Sequence, residues 1–243
     1  MSSRRLYRRS LTGFRLRSFS VQVKESDLWV AVSSHSFSAA LPGQVEKLIL
    51  NYRSRIETYL EEDPLFAAAL EPCLVPPGAP EIIRKMVYAG NKAGVGPMAA
   101  VAGAIAEEVG FFLADKSPEV IVENGGDIFI KLLESARLGI YAGSSPLSGK
   151  IALKIEPGQT PLGVCTSSGT VGPSLSFGCA DAAVVLSPSA PLADAVATAL
   201  GNRVKSRADL EGALNYARDL DEVTGALLIV EDKIAAWGAI ELE

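Results

Sequence analysis

Apolar and polar residues alternate from Phe14 to Val23 and again from Leu28 to Val32, with "KESD" between the two runs. That period-two pattern around a polar break predicts an opening β-hairpin. The period then changes. Val45, Leu48, Ile49, Tyr52, Ile56, Tyr59 and Leu60 recur at helical spacing. "DPLFAAAL" follows, with Asp63 placed to cap a short helix and Pro64 at its first position. The Pro-rich "EPCLVPPGAPE" interrupts the pattern, and residues 71–80 are the best candidate for a subdomain boundary. Beyond it, "EIIRKMVYAGNKAG" and the Ala/Gly-rich "VGPMAAVAGAIAEEVGFFLADK" predict two helices. The small residues of the second would let a backbone or a flat ligand approach closely.

Six short strand-like runs come next: "EVIVEN", "DIFIKLL", "RLGIYAG", "KIALKIE", "LGVCTSS" and "DAAVVLS". Two helices, "SAPLADAVATALGN" and "RADLEGALNYARDL", precede a closing pair of strands, "GALLIVE" and "AAWGAIEL". Strands, helices, strands, helices and strands in blocks, without strict alternation, predict an α+β fold. Its sheet would be mostly antiparallel, with helices packed on its faces.

Composition narrows the picture. The 243 residues are 48% hydrophobic, enough to bury a substantial core, and one domain over residues 1–243 is expected. The formal charge of −5 leaves no basic footprint for nucleic acid over the whole chain. Residues 1–13 read as a basic tail leading into the fold, with an Arg- and Ser-rich transit peptide as the alternative; there is no acid before Glu25 and no apolar core of a secretory signal. No run suggests a membrane span, and cytoplasm is the default location. Cys73, Cys165 and Cys179 form no CxxC pair and read as reduced, mostly buried thiols. His35 is the single histidine, which excludes any mechanism that needs a histidine cluster.

Three segments carry candidate chemistry. Asn124, Gly125, Gly126 and Asp127 form an ordinary hairpin turn, or one whose glycines admit a ligand to the backbone while Asp127 accepts its hydrogen bonds. Thr166, Ser167, Ser168, Thr170, Ser174 and Ser176 are interleaved with Gly169, Gly172 and Gly178. That composition suits phosphate oxygens, and equally a surface loop. In "SAPLADAVATALGN", Leu192, Val196 and Leu200 share one helix face, while Asp194 and Thr198 lie opposite among Ala193, Ala197 and Gly201. A surface helix would carry Lys and Glu there, so this one is expected to be covered on both sides. Two readings stay open. Asp194 could be a helix-end charge worth about 0.3–1 kcal/mol, with Thr198 bonded back to its own helix. Alternatively the pair faces a ligand, for which Mg²⁺, an oxygen-seeking cation that keeps part of its shell for water and phosphates, is suited.

The order of these pieces resembles the ApbE-like superfamily, whose best-known members are FAD:protein FMN transferases. "ENGGD" is similar to its Gly-Gly-Asp turn, "CTSSG" to its Thr-Ser-Gly and "LADAVATAL" to its Ala-Asp-Ala-x-Ala-Thr-Ala helix. The likeness runs from about Gly94 to Asn202. It implies a T-fold-related α+β fold and FAD (or FMN) and Mg²⁺ as cofactors. It also implies magnesium ligands at Asp194, Thr198 and the backbone carbonyl of Ala99, with Asp194 and Thr198 catalytic. The flavin site would comprise Asn124, Gly125, Gly126, Asp127, Thr166, Ser167, Ser168 and Gly169. The implied partners are a flavin or nucleotide and an unidentified acceptor protein, and a homodimer stays open. Two features depart from the pattern. Ala100 stands where the family places a lysine, and the histidine segment after Thr-Ser-Gly is missing. Those losses leave a flavin-binding protein without transfer as the alternative, unless Asn91, Lys92 or Arg203 compensates.

Overall fold

The computed structural model describes residues 15–170 and 177–243. The basic tail and Gly172, Ser174 and Ser176 lie outside the described residues. The opening hairpin forms as the alternation predicts: β1 (Leu16–Val23) pairs antiparallel with β2 (Ser26–Ser33) in continuous register from Leu16↔Ser33 to Val23↔Ser26. Helices α1 (Leu41–Glu62), α2 (Pro64–Ala68), α3 (Glu81–Ala93) and α4 (Val101–Ala114) follow, a 3₁₀ turn at Pro97–Ala100 leading into α4. The Asp63 side chain accepts the Phe66 N–H at 3.2 Å and caps α2 as expected.

The strands β3 (Val120–Asn124), β4 (Asp127–Lys131), β7 (Leu162–Ser167), β8 (Ala182–Ser187), β9 (Gly225–Val230) and β10 (Lys233–Gly238) join the opening hairpin. Together they make an eight-stranded antiparallel sheet of order β1-β2-β3-β4-β7-β8-β9-β10. β5 (Ala136–Gly139) and β6 (Ala152–Ile155) form a separate two-stranded sheet. Helices α5 (Ala190–Arg203) and α6 (Leu210–Arg218) lie between β8 and β9 in sequence.

Alternation along the strands sorts their side chains into two cores. Val30, Val122, Phe129, Cys165 and Val185 meet the helices on one face. Trp29, Ile121, Ile130, Val164 and Leu186 meet the β5–β6 layer, with Leu138 and Leu153, on the other. The last predicted strand is shorter than its pattern: after Gly238 the chain leaves the main sheet, and Leu242 bridges Leu153 of β6.

The glycines of α4 have a use within the fold. A Cβ at Gly110 would lie 2.0 Å from the Phe129 ring, and one at Gly103 would lie 2.5 Å from the Ala190 carbonyl oxygen. At these two glycines the close neighbours are the sheet and α5, the close backbone approach that small residues allow. The run Pro97–Ala114 does reach the length and mean hydropathy of a membrane span, contrary to expectation. It contains Glu107 and Glu108, and much of it is buried against the sheet and α5 as a core helix. Of the thiols only Cys165 is buried; Cys73 and Cys179 are partly exposed, so "mostly buried" does not hold.

Candidate functional site

Helix α5 is covered on every side, as its composition predicts. From Ala190 to Gly201 every residue is buried except Thr198. Asp194 does act at a helix terminus, though not at that of its own helix. Its Oδ2 accepts the Gly103 N–H at 2.9 Å, in the first turn of α4, where the cap residue Ala100 has no side-chain acceptor to offer. The alternative in which Thr198 bonds back to the Asp194 carbonyl is not seen: its hydroxyl takes no partner among the described residues.

The same turn of α4 draws in the β3–β4 hairpin. Asn124 Nδ2 donates to the Ala102 carbonyl at 3.2 Å. Asn124 pairs with Asp127 across a two-residue turn, and Gly125 (φ 73°) and Gly126 (φ 118°) supply the positive φ values that such a tight reversal needs. The Gly126 N–H donates to Glu123 Oε1 at 2.9 Å. Asp127 therefore enters β4 on the helix side, buried and close to Asp194.

Both carboxyls resist ionisation. Burial is the main cause at Asp127, raising it to about 7; the Glu123 charge adds to this, while the Cys165 thiol and the Thr166 N–H oppose it. Asp194 is raised well above the usual carboxylate range by burial and by the Asp127 charge, against the N–H groups of Gly103 and Ala102. Cys165 stays a thiol for the same reasons, burial first and then the two aspartates. Its Sγ donates to the Ala190 carbonyl at 3.3 Å.

No Lys or Arg among the described residues pairs with Asp127 or Asp194, and Asp127 Oδ1 is buried without a hydrogen-bond partner. Paired buried carboxyls with an orphaned oxygen are a donor set that a hard divalent cation would satisfy. The described residues contain no group of three His, Cys, Asp or Glu side chains able to hold a metal. A cation here would therefore take further oxygens from Thr198, from the half-buried Ala99 backbone and from its ligand.

The described ends of the hydroxyl-rich segment, residues 166–170 and 177–178, meet each other, and the second meets the same helix, by backbone contact. A Cβ at Gly169 would lie 2.2 Å from the Gly178 oxygen, and one at Gly178 would lie 1.7 Å from the Gly201 oxygen. Gly169 N donates to the Ala180 carbonyl at 2.8 Å, and Phe177 N donates to Asn202 Oδ1 at 2.8 Å. Thr166 and Ser167 end β7 beside the Gly126 turn, and Ser168 bonds Thr170, whose hydroxyl donates to Asp181. The structure thus gathers Asn124, Gly125, Gly126, Asp127, Thr166 and Asp194 around the first turn of α4. Ala99 immediately precedes that turn, and Ser167, Ser168 and Gly169 lead away from it.

Substitutes for the lost lysine are otherwise engaged. Asn91 holds the Cys73 backbone with both side-chain atoms, and Lys92 pairs with Glu222 at 3.4 Å. Arg203 stacks on Tyr216, 3.5 Å from the ring centroid. Ala100 is wholly buried, and His35 follows β2 at the end of the sheet opposite the Asn124–Asp127 turn. Glu107, Cys165, Gly103 and Asn202 were not visible as contributors in the sequence. Glu107 alone left a signal, as an acid on the small-residue face of an apolar helix.

An antiparallel sheet backed by helices, with a Gly-Gly-Asp turn meeting an Asp/Thr helix, defines an α+β protein of the ApbE type. The chain belongs to the family described as AbpE bacteria, whose model matches residues 8–233. It is 48% identical over 193 residues to a UPF0280 protein of Methanocella arvoryzae, covering 79% of this chain and 78% of that one. With a UPF0280 protein of Methanosarcina acetivorans it shares 42% over 221 residues, 90% and 85% of the two chains. Among solved structures it is similar to the flavinyl transferase ApbE of Pseudomonas stutzeri, with TM-score 0.60 and 16% identity over 92% of this chain and 94% of that one. The flavin transferase ApbE of Vibrio cholerae gives TM-score 0.57 and 15% identity, over 92% and 97%. At those identities the likeness is one of fold.

Proposed function

We propose that the protein binds a flavin dinucleotide, FAD, at the Asn124–Asp127 turn and the Thr166–Gly169 loop, beside a divalent cation. Asp194, Thr198 and the Ala99 carbonyl would hold the cation. The observation that carries this reading is the pair of buried, charge-resisting carboxyls, with Asp127 Oδ1 orphaned and Thr198 the one residue from Ala190 to Gly201 that is not buried. When bound, Mg²⁺ neutralises charge on a diphosphate. The chain's own part is to position. The glycine turn admits the ligand to the backbone, the loop offers hydroxyl and N–H donors, and the walls around Asp194 exclude water. The reaction this suits moves the FMN phosphoryl group from AMP to a hydroxyl: that of an acceptor protein in a transferase, or water in a diphosphatase. The three free thiols fit a reducing compartment and support a cytoplasmic location.

A second reading, binding without turnover, is favoured by one observation: Ala100 is wholly buried and offers no cation. Incubating the purified chain with FAD, with and without Mg²⁺, separates the two. Mg²⁺-dependent release of AMP and FMN is the outcome expected of an enzyme. A Mg²⁺-dependent change in flavin fluorescence without AMP supports the binding protein. No flavin response overturns both.

A further inference from the structure

We propose that Glu107 is a positioning residue for this site: by holding the first peptide of α5 it sets the register that brings Asp194 and Thr198 to the first turn of α4. The inference rests on the reading that Asp194 and Thr198 face a cation. Neither helix caps itself, since Ser189 makes no side-chain cap bond to α5 and Ala100 makes none to α4. Each helix instead caps the other. Glu107 Oε2, on α4, accepts the Ala190 N–H at 2.8 Å, and Asp194 Oδ2, on α5, accepts the Gly103 N–H at 2.9 Å.

Gly103 and Glu107 are four residues apart on one helix, as are Ala190 and Asp194 on the other. The two bonds are therefore rungs one helical turn apart between antiparallel neighbours, and an axial slip breaks both. The space is as specific as the bonds. Ala190 fits between Gly103, whose Cβ would lie 2.5 Å from the Ala190 oxygen, and Gly163, whose Cβ would lie 2.4 Å from the Ala190 Cα.

Lys85 steadies the buried acid. Its Nζ lies 3.5 Å from Glu107 Oε1 and 2.6 Å from Glu108 Oε1, and Glu108 Oε2 in turn accepts the Tyr52 hydroxyl at 2.5 Å. These bonds leave Glu107 with no hydrogen bond to Asp127, Asp194 or Thr198, so its influence on the site passes through the register of α5.

The test compares Glu107→Ala, Glu107→Gln and Leu113→Ala, the last removing a buried side chain of α4 remote from the rungs. The two readouts are binding of Mn²⁺ alone, by electron paramagnetic resonance, and hydrogen exchange at the Gly103 amide. Glu107→Ala is expected to weaken Mn²⁺ binding about 10- to 100-fold, as lost supporting bonds around a metal do. It should also lower Gly103 protection about tenfold, roughly what a lost cap is worth, beyond the loss in Leu113→Ala. Glu107→Gln keeps an acceptor for the Ala190 N–H and restores both, while Leu113→Ala leaves Mn²⁺ affinity unchanged. Should Glu107→Ala not fold, Glu107→Asp, too short to reach Ala190, takes its place. Wild-type Mn²⁺ affinity in Glu107→Ala, or a loss matched by Leu113→Ala, overturns the proposal. If the wild type itself binds no Mn²⁺, the cation reading fails separately. Gly103 exchange then decides: protection no lower than in Leu113→Ala overturns the positioning role.

Discussion

At position 194 a carboxyl group stabilises the first turn of α4 through an acceptor oxygen, while burial beside Asp127 opposes its ionisation. Asparagine keeps the acceptor and discards the acid, so the two contributions can be separated. Without added metal at pH 7.5, Asp194→Asn is expected to be more stable than the wild type by about 1–2 kcal/mol, because the cost of burying a group that is ionised in the unfolded chain at that pH is gone. Asp194→Ala should be less stable than Asp194→Asn by about 1 kcal/mol or more, since the cap goes too. Urea unfolding of the three proteins checks the order, and a wild type more stable than Asp194→Asn in EDTA would contradict it. Thr198 is only partly buried and makes no side-chain bond among the described residues, so Thr198→Val should change stability by less than about 0.5 kcal/mol. The same variant should weaken Mg²⁺-dependent flavin binding, measured by fluorescence titration. Asp194 and Thr198 were legible as a pair from helical spacing alone. Their surroundings were not, because the partners are set by tertiary contact: Gly103 lies 91 residues from Asp194, and Glu107 lies 83 from Ala190.

The regular elements were readable to within a few residues wherever one face is buried and the other is not. In β2, Leu28, Val30 and Val32 meet the helices while Trp29 and Ala31 meet the small sheet, and the same alternation marks the other strands. That periodicity is silent about partners. β5 and β6 carry the strand signal of their neighbours yet stand in a second layer, and no local feature shows the chain terminus bridging to β6. The start of α4 was equally hidden, because its cap comes from another helix. In the Ser/Gly loop the glycines mattered more than the hydroxyls for placement. Gly169 packs against the Gly178 backbone and Gly178 against that of Gly201 in α5, and a side chain at Gly169 or Gly178 has no space. Gly178→Ala would place a Cβ 1.7 Å from the Gly201 oxygen and must lift the loop from α5. The expected cost is about 1–3 kcal/mol of stability, as for other overpacked contacts. A loss of flavin affinity at temperatures where the variant is fully folded should accompany it. Calorimetry and flavin titration together check this, and unchanged flavin affinity would separate the loop from the binding site.

Across the whole molecule the raised acids outweigh the lowered ones, and this fixes how stability varies with pH. Burial lifts Asp127 to about 7, Asp194 well above its ordinary range and Glu107 upward, so the folded state holds protons that the unfolded chain releases near pH 4. Between those values the folded protein binds more protons than the unfolded one, and stability falls as pH rises. The lowered acids, Glu25, Glu57 and Asp209, act with the opposite sign: what they contribute is present above about pH 4 and lost below it. Glu25 is exposed and Glu57 and Asp209 are partly exposed, where such contributions are screened and small. The metal-free chain should therefore be most stable in mild acid and lose on the order of a few kcal/mol between pH 5 and 7.5. A divalent cation held by Asp194, with Asp127 nearby, would favour the charged forms of both, so added Mg²⁺ should raise the melting temperature more at pH 7.5 than at pH 5. Asp127→Asn should flatten the decline in EDTA and reduce the Mg²⁺ effect. Melting curves across that range, with EDTA and then with excess Mg²⁺, make the comparison. A melting temperature in EDTA that stays level or climbs from pH 5 to 7.5 would mean that the two carboxyls are not forced to ionise in a buried space, and the case for a cation at Asp194 would go with it.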